Sequence, residues 1–247
     1  MPTPFMHMAL GQRLIADPDL SNAIRASLRQ HWGAFLLGSI APDARVSSGL
    51  RGAQTHFFEY APKIEVPPAV RMLNDFPSLR HRATHGNLSQ AVFVCGYAAH
   101  LSMDETWCVE MLFPHFHGGN PQKQFVYLHL LLGYLDQRDR ASLGPDHYSA
   151  LCAAQPDRWL PFMTDADLTQ WRDIVANQLA PEGQSRTLEI LGPRINLTSN
   201  QMSNAIDDPA TMQEVWHNTP LATIHHIESA MYRGVRETVI AYFEDRL

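Results

Sequence analysis

The sequence predicts an all-α fold, arranged as a single multi-helix domain over residues 1–247. Three observations lead there. Apolar residues recur at helical spacing in one segment after another, with Pro and Gly marking the breaks. Few stretches alternate in the manner of a strand, and the best of them, SRTLEILG at 185–192, does so only weakly. Hydrophobic residues at 45% against charged residues at 18% supply ample material for a core.

Residues 19–35 carry the first helical period. GSIAPDARVSSGLRGAQ, 38–54, is rich in Gly, Ser and Ala and reads as a long ordered loop. APKIEVPPAV breaks the chain before a short helical segment at 69–75. The central helix is expected over 88–113 and should stop at Pro114, since proline disfavours helix in the residue before it. Two more helices are expected over 122–138 and 165–179. In the last one, NTPLATIHHIESAMYRGVRETVIAYF, Thr219 suits the cap and Pro220 the first helical position. Leu221, Ile224, Met231, Val235 and Tyr242 then form a stripe, with Glu228 inside it and His225 three residues before. The sum is about ten helices, counting short ones, with no repeat and no linker.

Lys and Arg number 19 against 25 Asp and Glu, a net charge of −6. That balance lacks the basic footprint of nucleic-acid binders, so no specific nucleic acid is expected as a partner. Three cysteines with no CxxC spacing fit a reducing compartment. The start, MPTPFMHMALGQRL, lacks the basic and long apolar regions of a signal peptide. No run reaches the ~18 apolar residues of a membrane span. The expectation is a soluble, cytoplasmic protein whose oligomeric state the sequence leaves open.

Chemistry enters with histidine, present 13 times. GYAAHLSMDETW, 96–107, places His100 and Asp104 one helical turn apart, on one face. From Ala91 to Met103 there is no Asp, Glu, Lys or Arg. A carboxylate buried in such surroundings is costly unless paired or bound to a metal. A His–Asp hydrogen bond would by itself satisfy the pair. Yet Asp43 follows an apolar helix end in FLLGSIAPDA, His56 precedes two phenylalanines in THFFEY, and His7 stands between two methionines in PFMHMAL. Separately, Asp43 could cap a turn, His56 anchor a loop and His7 sit in the core. Together they favour one shared partner. Zinc suits the set, because it accepts imidazole nitrogen and carboxylate oxygen. Calcium and magnesium prefer all-oxygen shells.

At PFMHMAL, LGSIAPDA, THFF and GYAAHLSMDETW the chain resembles the zinc-dependent phospholipase C family, related to single-strand zinc nucleases. The order His, Asp, His, then His-xxx-Asp on a helix carries the resemblance through about the first 110 residues. It implies a metal site between a central buried helix and amino-terminal segments. Asp43, His56, His100 and Asp104 would hold one zinc, and Asp104 would bridge to another held with His7. One site is expected, with two or three open.

The family's enzymes use three zincs and a Trp at the mature amino terminus, whereas this chain reads Met1-Pro2-Thr3. Candidates for a further site are His115 and His117 beyond the helix, His81 with His85, and His225 with Glu228, which are three apart rather than four. The activity implied is hydrolysis of a phospholipid head group or another small phosphodiester by attack of metal-bound hydroxide, with Asp43 also acting as a base that orients the water. The alternative is a non-catalytic, metal-containing helical protein that binds a ligand or partner. No GxxxxGK[ST], HExxH or GxSxG is present. HIE at 226–228 lacks the PCxxC of a deaminase. EVWH at 214–217 is a lone Glu-x-x-His where a di-iron bundle needs two.

Overall fold

The computed structural model describes residues 1–84 and 86–247, without the side chains of 82 and 83, so His85 lies outside the described residues. The architecture is all-α, and among the described residues no strand forms. The helices are α1 (Pro4–Ala16), α2 (Asn22–Gln30), α3 (Trp32–Ile40), α4 (Arg45–Ser48), α5 (Gly52–His56), α6 (Pro68–Asp75), α7 (His81–Thr84) and α8 (Leu88–Thr106). After them come α9 (Phe113–Phe116), α10 (Pro121–Ser142), α11 (Pro145–Ala153), α12 (Asp165–Leu179), α13 (Thr187–Leu191), α14 (Ser199–Asp207), α15 (Pro209–Asn218) and α16 (Leu221–Phe243).

Polar caps start the helices where the sequence offers them. Asn120 accepts hydrogen bonds from the backbone N–H of Gln122 and Lys123 at the start of α10. Thr164 and Asp167 satisfy each other's backbone N–H at the start of α12, a reciprocal capping box.

The centre is α8, whose residues from Ala91 to Asp104 are all buried. It lies between α3 on one side and α16 on another. Glycines let α3 and α8 touch backbone to backbone. A Cβ on Gly38 would fall 2.0 Å from the Phe93 carbonyl oxygen, and one on Gly96 would fall 2.3 Å from that of Phe35. Helix α1 packs against α10 and α3, which brings the amino-terminal segment to the same place. Among the described residues no helix is long and apolar enough to cross a membrane.

Several expectations need correction. The helix expected over 19–35 is two helices, broken at His31, whose backbone leaves helical geometry (φ −118°, ψ 35°). The loop expected over 38–54 is largely helical: α3 runs to Ile40, a 3-10 turn covers Ala41–Ala44, and α4 and α5 follow. Its first small residues, Gly38, Ser39, Ala41 and Ala44, are buried in close packing. The central helix does not stop at Pro114. It passes through a π-helical turn, Trp107–Leu112, into α9. The wider turn relieves the clash a proline makes with the carbonyl four residues back.

The best candidate for a strand, 185–192, instead forms α13 and the start of a 3-10 turn, Gly192–Ile195. Thr219 closes α15, donating its N–H to Val215 at 2.8 Å, and Pro220 takes the cap of α16. Leu221, placed in the buried stripe of α16, is 43% exposed. It sits on the first turn, beyond the reach of the core.

Candidate metal centre

Four separate pieces of chain bring polar side chains to the middle of α8. His100 and Asp104 stand one turn apart and are both buried. The His100 Nδ1–H donates to the Ser39 carbonyl at 2.8 Å, which turns Nε2 toward the carboxylate. This anchoring through the second ring nitrogen is the habit of metal-ligating histidines. His7, on α1, stacks on His100 with ring centroids 3.8 Å apart and planes 11° from parallel.

Asp43 sits in the 3-10 turn after α3. The Trp171 indole N–H holds that turn by donating to the Ile40 carbonyl at 2.8 Å. His56 ends α5, with its Nδ1 against the Thr55 hydroxyl at 2.9 Å. The Tyr97 hydroxyl ties α5 to α8 by donating to the Thr55 carbonyl at 2.7 Å. Directly after His56 the chain reverses through Phe57 in left-handed geometry (φ 60°). That conformation costs a non-glycine residue about 1–3 kcal/mol. The Phe57 ring offsets it by packing on Phe76, Tyr97 and Phe162.

The spacing within the cluster is informative. Asp104 Oδ2 lies 3.3 Å from His100 Nε2 and 3.4 Å from His56 Nε2. Its other oxygen, Oδ1, faces His7 Nε2 at 3.5 Å, and Asp43 Oδ1 lies 3.6 Å from His56 Nε2. These separations are too long for good hydrogen bonds. Both Asp104 oxygens, both His7 nitrogens and His100 Nε2 are buried without a hydrogen-bond partner. Two donors each about 2.0–2.1 Å from one tetrahedral ion stand about 3.3–3.4 Å apart, which is the spacing seen around Asp104 Oδ2. The donor set therefore fits zinc. Ligand atoms of His7, His100 and Asp104 form one group within 4.8 Å of one another, and those of Asp43, His56 and His100 form another.

The electrostatics run the same way. Burial, with the neighbouring His100 adding to it, lowers His7 to a pKa of about 4, so it is neutral near pH 7 as a ligand must be. Burial pulls against the charge of His100 as well, but the Asp104 carboxylate outweighs it and the net direction is up. Burial opposes ionisation of Asp104, and the imidazoles of His100 and His7 overcome it, holding this carboxyl far below the usual range. Asp43 is also lowered: burial resists, and the neighbouring imidazoles of His56 and His100 prevail. The Asp104 side chain is fully buried, whereas that of Asp43 is 16% exposed, so the cluster meets solvent on the Asp43 side.

All five residues singled out from the sequence, His7, Asp43, His56, His100 and Asp104, thus converge. The candidates for a further site do not. His81 lies 4.0 Å from Asp245 and packs on Tyr242 and Phe243. His117 packs on Phe113, and the His115 carbonyl accepts from Asn218. Glu228 pairs with Arg138, and His225 is exposed. Among the described residues none of these joins a group tight enough to hold an ion.

Sequence reasoning missed other members of the neighbourhood. The Met1 amino group is buried, which lowers its pKa, and the Asp104 and Asp43 carboxylates lie near enough to oppose that shift. Tyr60 is 56% exposed. Burial of its phenol and the field of Asp104 push its pKa up to about 12, with Arg45 opposing. No spacing signal marks Tyr60, Arg45 or Thr55, because Arg45 and Thr55 lie on helices of five residues or fewer, too short to show a period, and Tyr60 lies in the irregular stretch after α5.

The fold and the site together define a class, an all-α protein whose central helix carries a buried His and Asp group with ligand atoms close enough to hold a metal ion. The sequence profile of the family described as zinc dependent phospholipase C matches residues 6–156, a span that contains all five residues. The chain belongs to that family. Neither a curated protein nor a solved structure gives a match.

Proposed function

We propose that this chain is a zinc-dependent phosphoesterase. One ion would be held by Asp43, His56, His100 and Asp104, and a second by His7 with the far oxygen of Asp104. The observation that carries the reading is the carboxylate of Asp104, whose two oxygens face different imidazoles with no hydrogen-bond donor on either. Family membership supports zinc and a phospholipase C type of substrate. Within that class the substrate is a phospholipid head group or another phosphodiester. The whole chain, 1–247, would act as one domain. What supports this is a hydrophobic cluster joining residues from Phe5 to Tyr242.

Zinc, when bound, supplies a Lewis acid that acidifies water to a pKa of about 7 and neutralises charge on phosphate oxygens. The protein's own contribution is placement. Ser39 and Thr55 orient the His100 and His56 rings through their Nδ1 atoms, leaving Nε2 free. Asp43 borders solvent, and its second oxygen, Oδ2, would accept a hydrogen bond from the attacking water and take its proton. The leaving alkoxide would draw its proton from solvent on that same open side.

The test is metal analysis of protein purified without added zinc, joined to turnover of a generic phosphodiester. Two or more ions per chain with zinc-dependent turnover bear the reading out. One ion and no turnover would leave a metal-containing binding protein instead.

A further inference from the structure

A cleft of about 490 Å³ opens where α8, α16 and the start of α6 meet. That volume suits a small molecule. Ser102 and Glu105 line it from α8, and Gly234 and Glu237 from α16. None of the five residues of the metal cluster takes part. An α-helix turns by about 100° per residue, so Ser102 lies about 200° round α8 from His100, on the opposite side of the helix.

The charge of this cleft is uncompensated. Glu105 is half-buried, and among the described residues neither it nor Glu237 makes an ion pair or a hydrogen bond. The one basic residue of the lining, Arg246, gives its guanidinium to Glu244. Two carboxylates thus share the cleft with no cation of their own. Removing a carboxylate from water without a donor is costly, and a cationic ligand would offset that cost.

Ser102 adds a third acceptor. The residue is 8% exposed, and its hydroxyl has no hydrogen-bond partner. It faces Gly234 across the floor of the cleft, where a Cβ would stand 3.2 Å from Oγ. Glycine at 234 therefore leaves the hydroxyl uncovered. Val70 and Ile240 supply an apolar wall. No aromatic ring lines the cleft, whereas quaternary ammonium groups are held over aromatic faces. Three oxygen acceptors match the three N–H donors of a primary ammonium.

We infer that this cleft is a second ligand site, taking a primary alkylamine whose ammonium donates to Glu105, Glu237 and Ser102 and whose carbon chain lies along Val70 and Ile240. The site is separate from the metal cluster and does not depend on the phosphoesterase reading.

The test is calorimetric titration of n-butylammonium into the zinc-loaded full chain, beside choline, which has the charge without the N–H donors, and n-butanol, which has the chain without the charge. Butylammonium should bind once per chain, and choline and butanol at least about tenfold more weakly, the size of one charged hydrogen bond. E105Q should weaken butylammonium binding about tenfold, and E237Q, at a more exposed carboxylate, about threefold. Glu237 lies on the surface of α16, away from Asp104, so E237Q decides the matter even if E105Q disturbs the metal cluster. Butylammonium that fails to bind, or that binds wild type and E237Q alike, overturns the inference. Choline binding as tightly as butylammonium overturns it as well. Each of these failures leaves phosphodiester turnover, and the reading built on it, untouched.

Discussion

His100 gives its Nδ1–H to the carbonyl of Ser39 at 2.8 Å, and this one bond decides which nitrogen faces the Asp104 carboxylate. A backbone acceptor on α3 thus sets the tautomer of a side chain on α8. The two helices can share such a bond because glycines bring their backbones together.

His100→Ala and Asp104→Asn should each abolish tight zinc binding, whereas His147→Ala should not. His147 is buried elsewhere, accepting the Gly144 N–H through Nδ1. Inductively coupled plasma analysis of the three purified variants checks this. Equal zinc content in all three would show that the ligand assignment is wrong.

Thr55→Val should lower zinc affinity by about 10–100-fold while leaving the ligands in place, the usual cost of losing an outer partner of a ligating histidine. Competition against a chromogenic chelator reads the change. An unaltered affinity would mean that Thr55 does not orient His56.

Gly38→Ala and Gly96→Ala should destabilise the fold by about 3 kcal/mol or more, beyond ordinary overpacking, because each methyl would meet a backbone carbonyl rather than a movable side chain. Urea unfolding measures it. Melting indistinguishable from wild type would show that α3 and α8 do not pack this closely.

Chelation should cost stability. At free zinc a thousand times its Kd, binding to the folded state alone contributes about 4 kcal/mol. Without the ion, Asp104 is a buried carboxylate whose oxygens have no hydrogen-bond donor. A thermal midpoint unmoved by chelator would count against metal at this cluster.

Asp136 offers a pH test away from the centre. It is buried, and burial raises its pKa despite nearby hydroxyls, among them that of Ser185, which donates to Oδ2 at 3.0 Å. With the folded pKa above the unfolded one, the native state binds the extra proton, so this residue's contribution falls as pH climbs from about 4 through the folded value. Asp136→Asn removes that dependence. The stability of the variant relative to wild type should therefore increase with pH across this window, as read by urea unfolding of both chains after chelation. A constant difference from acid to neutral pH would refute it.

How much of this was legible beforehand varies with the residue. The bounds expected for α12, 165–179, agree with the structure, where Thr164 and Asp167 form a local capping device that needs nothing distant. The run 38–54 was not, because the same small residues that mark loops also mark helices in close contact, and a single sequence does not say which neighbour is close. Thr219 was misassigned for a related reason: it can begin one helix or end another, and the choice falls to the N–H bond with Val215. The π-helical turn after Asp104 has no periodic signature in so short a stretch.

The sequence by itself determined the helical class and put His7, Asp43, His56, His100 and Asp104 in apolar surroundings where unpaired charge is costly. Periodicity and burial cost are local properties, and each can be read along the chain. Tertiary structure alone decided that α1, the turn after α3, and α5 deliver their side chains to one face of α8. It also decided that Asp104 divides its oxygens between His7 on one side and His56 and His100 on the other. Those outcomes depend on distances between segments up to a hundred residues apart, and such distances are fixed by helix packing rather than by any order of residues.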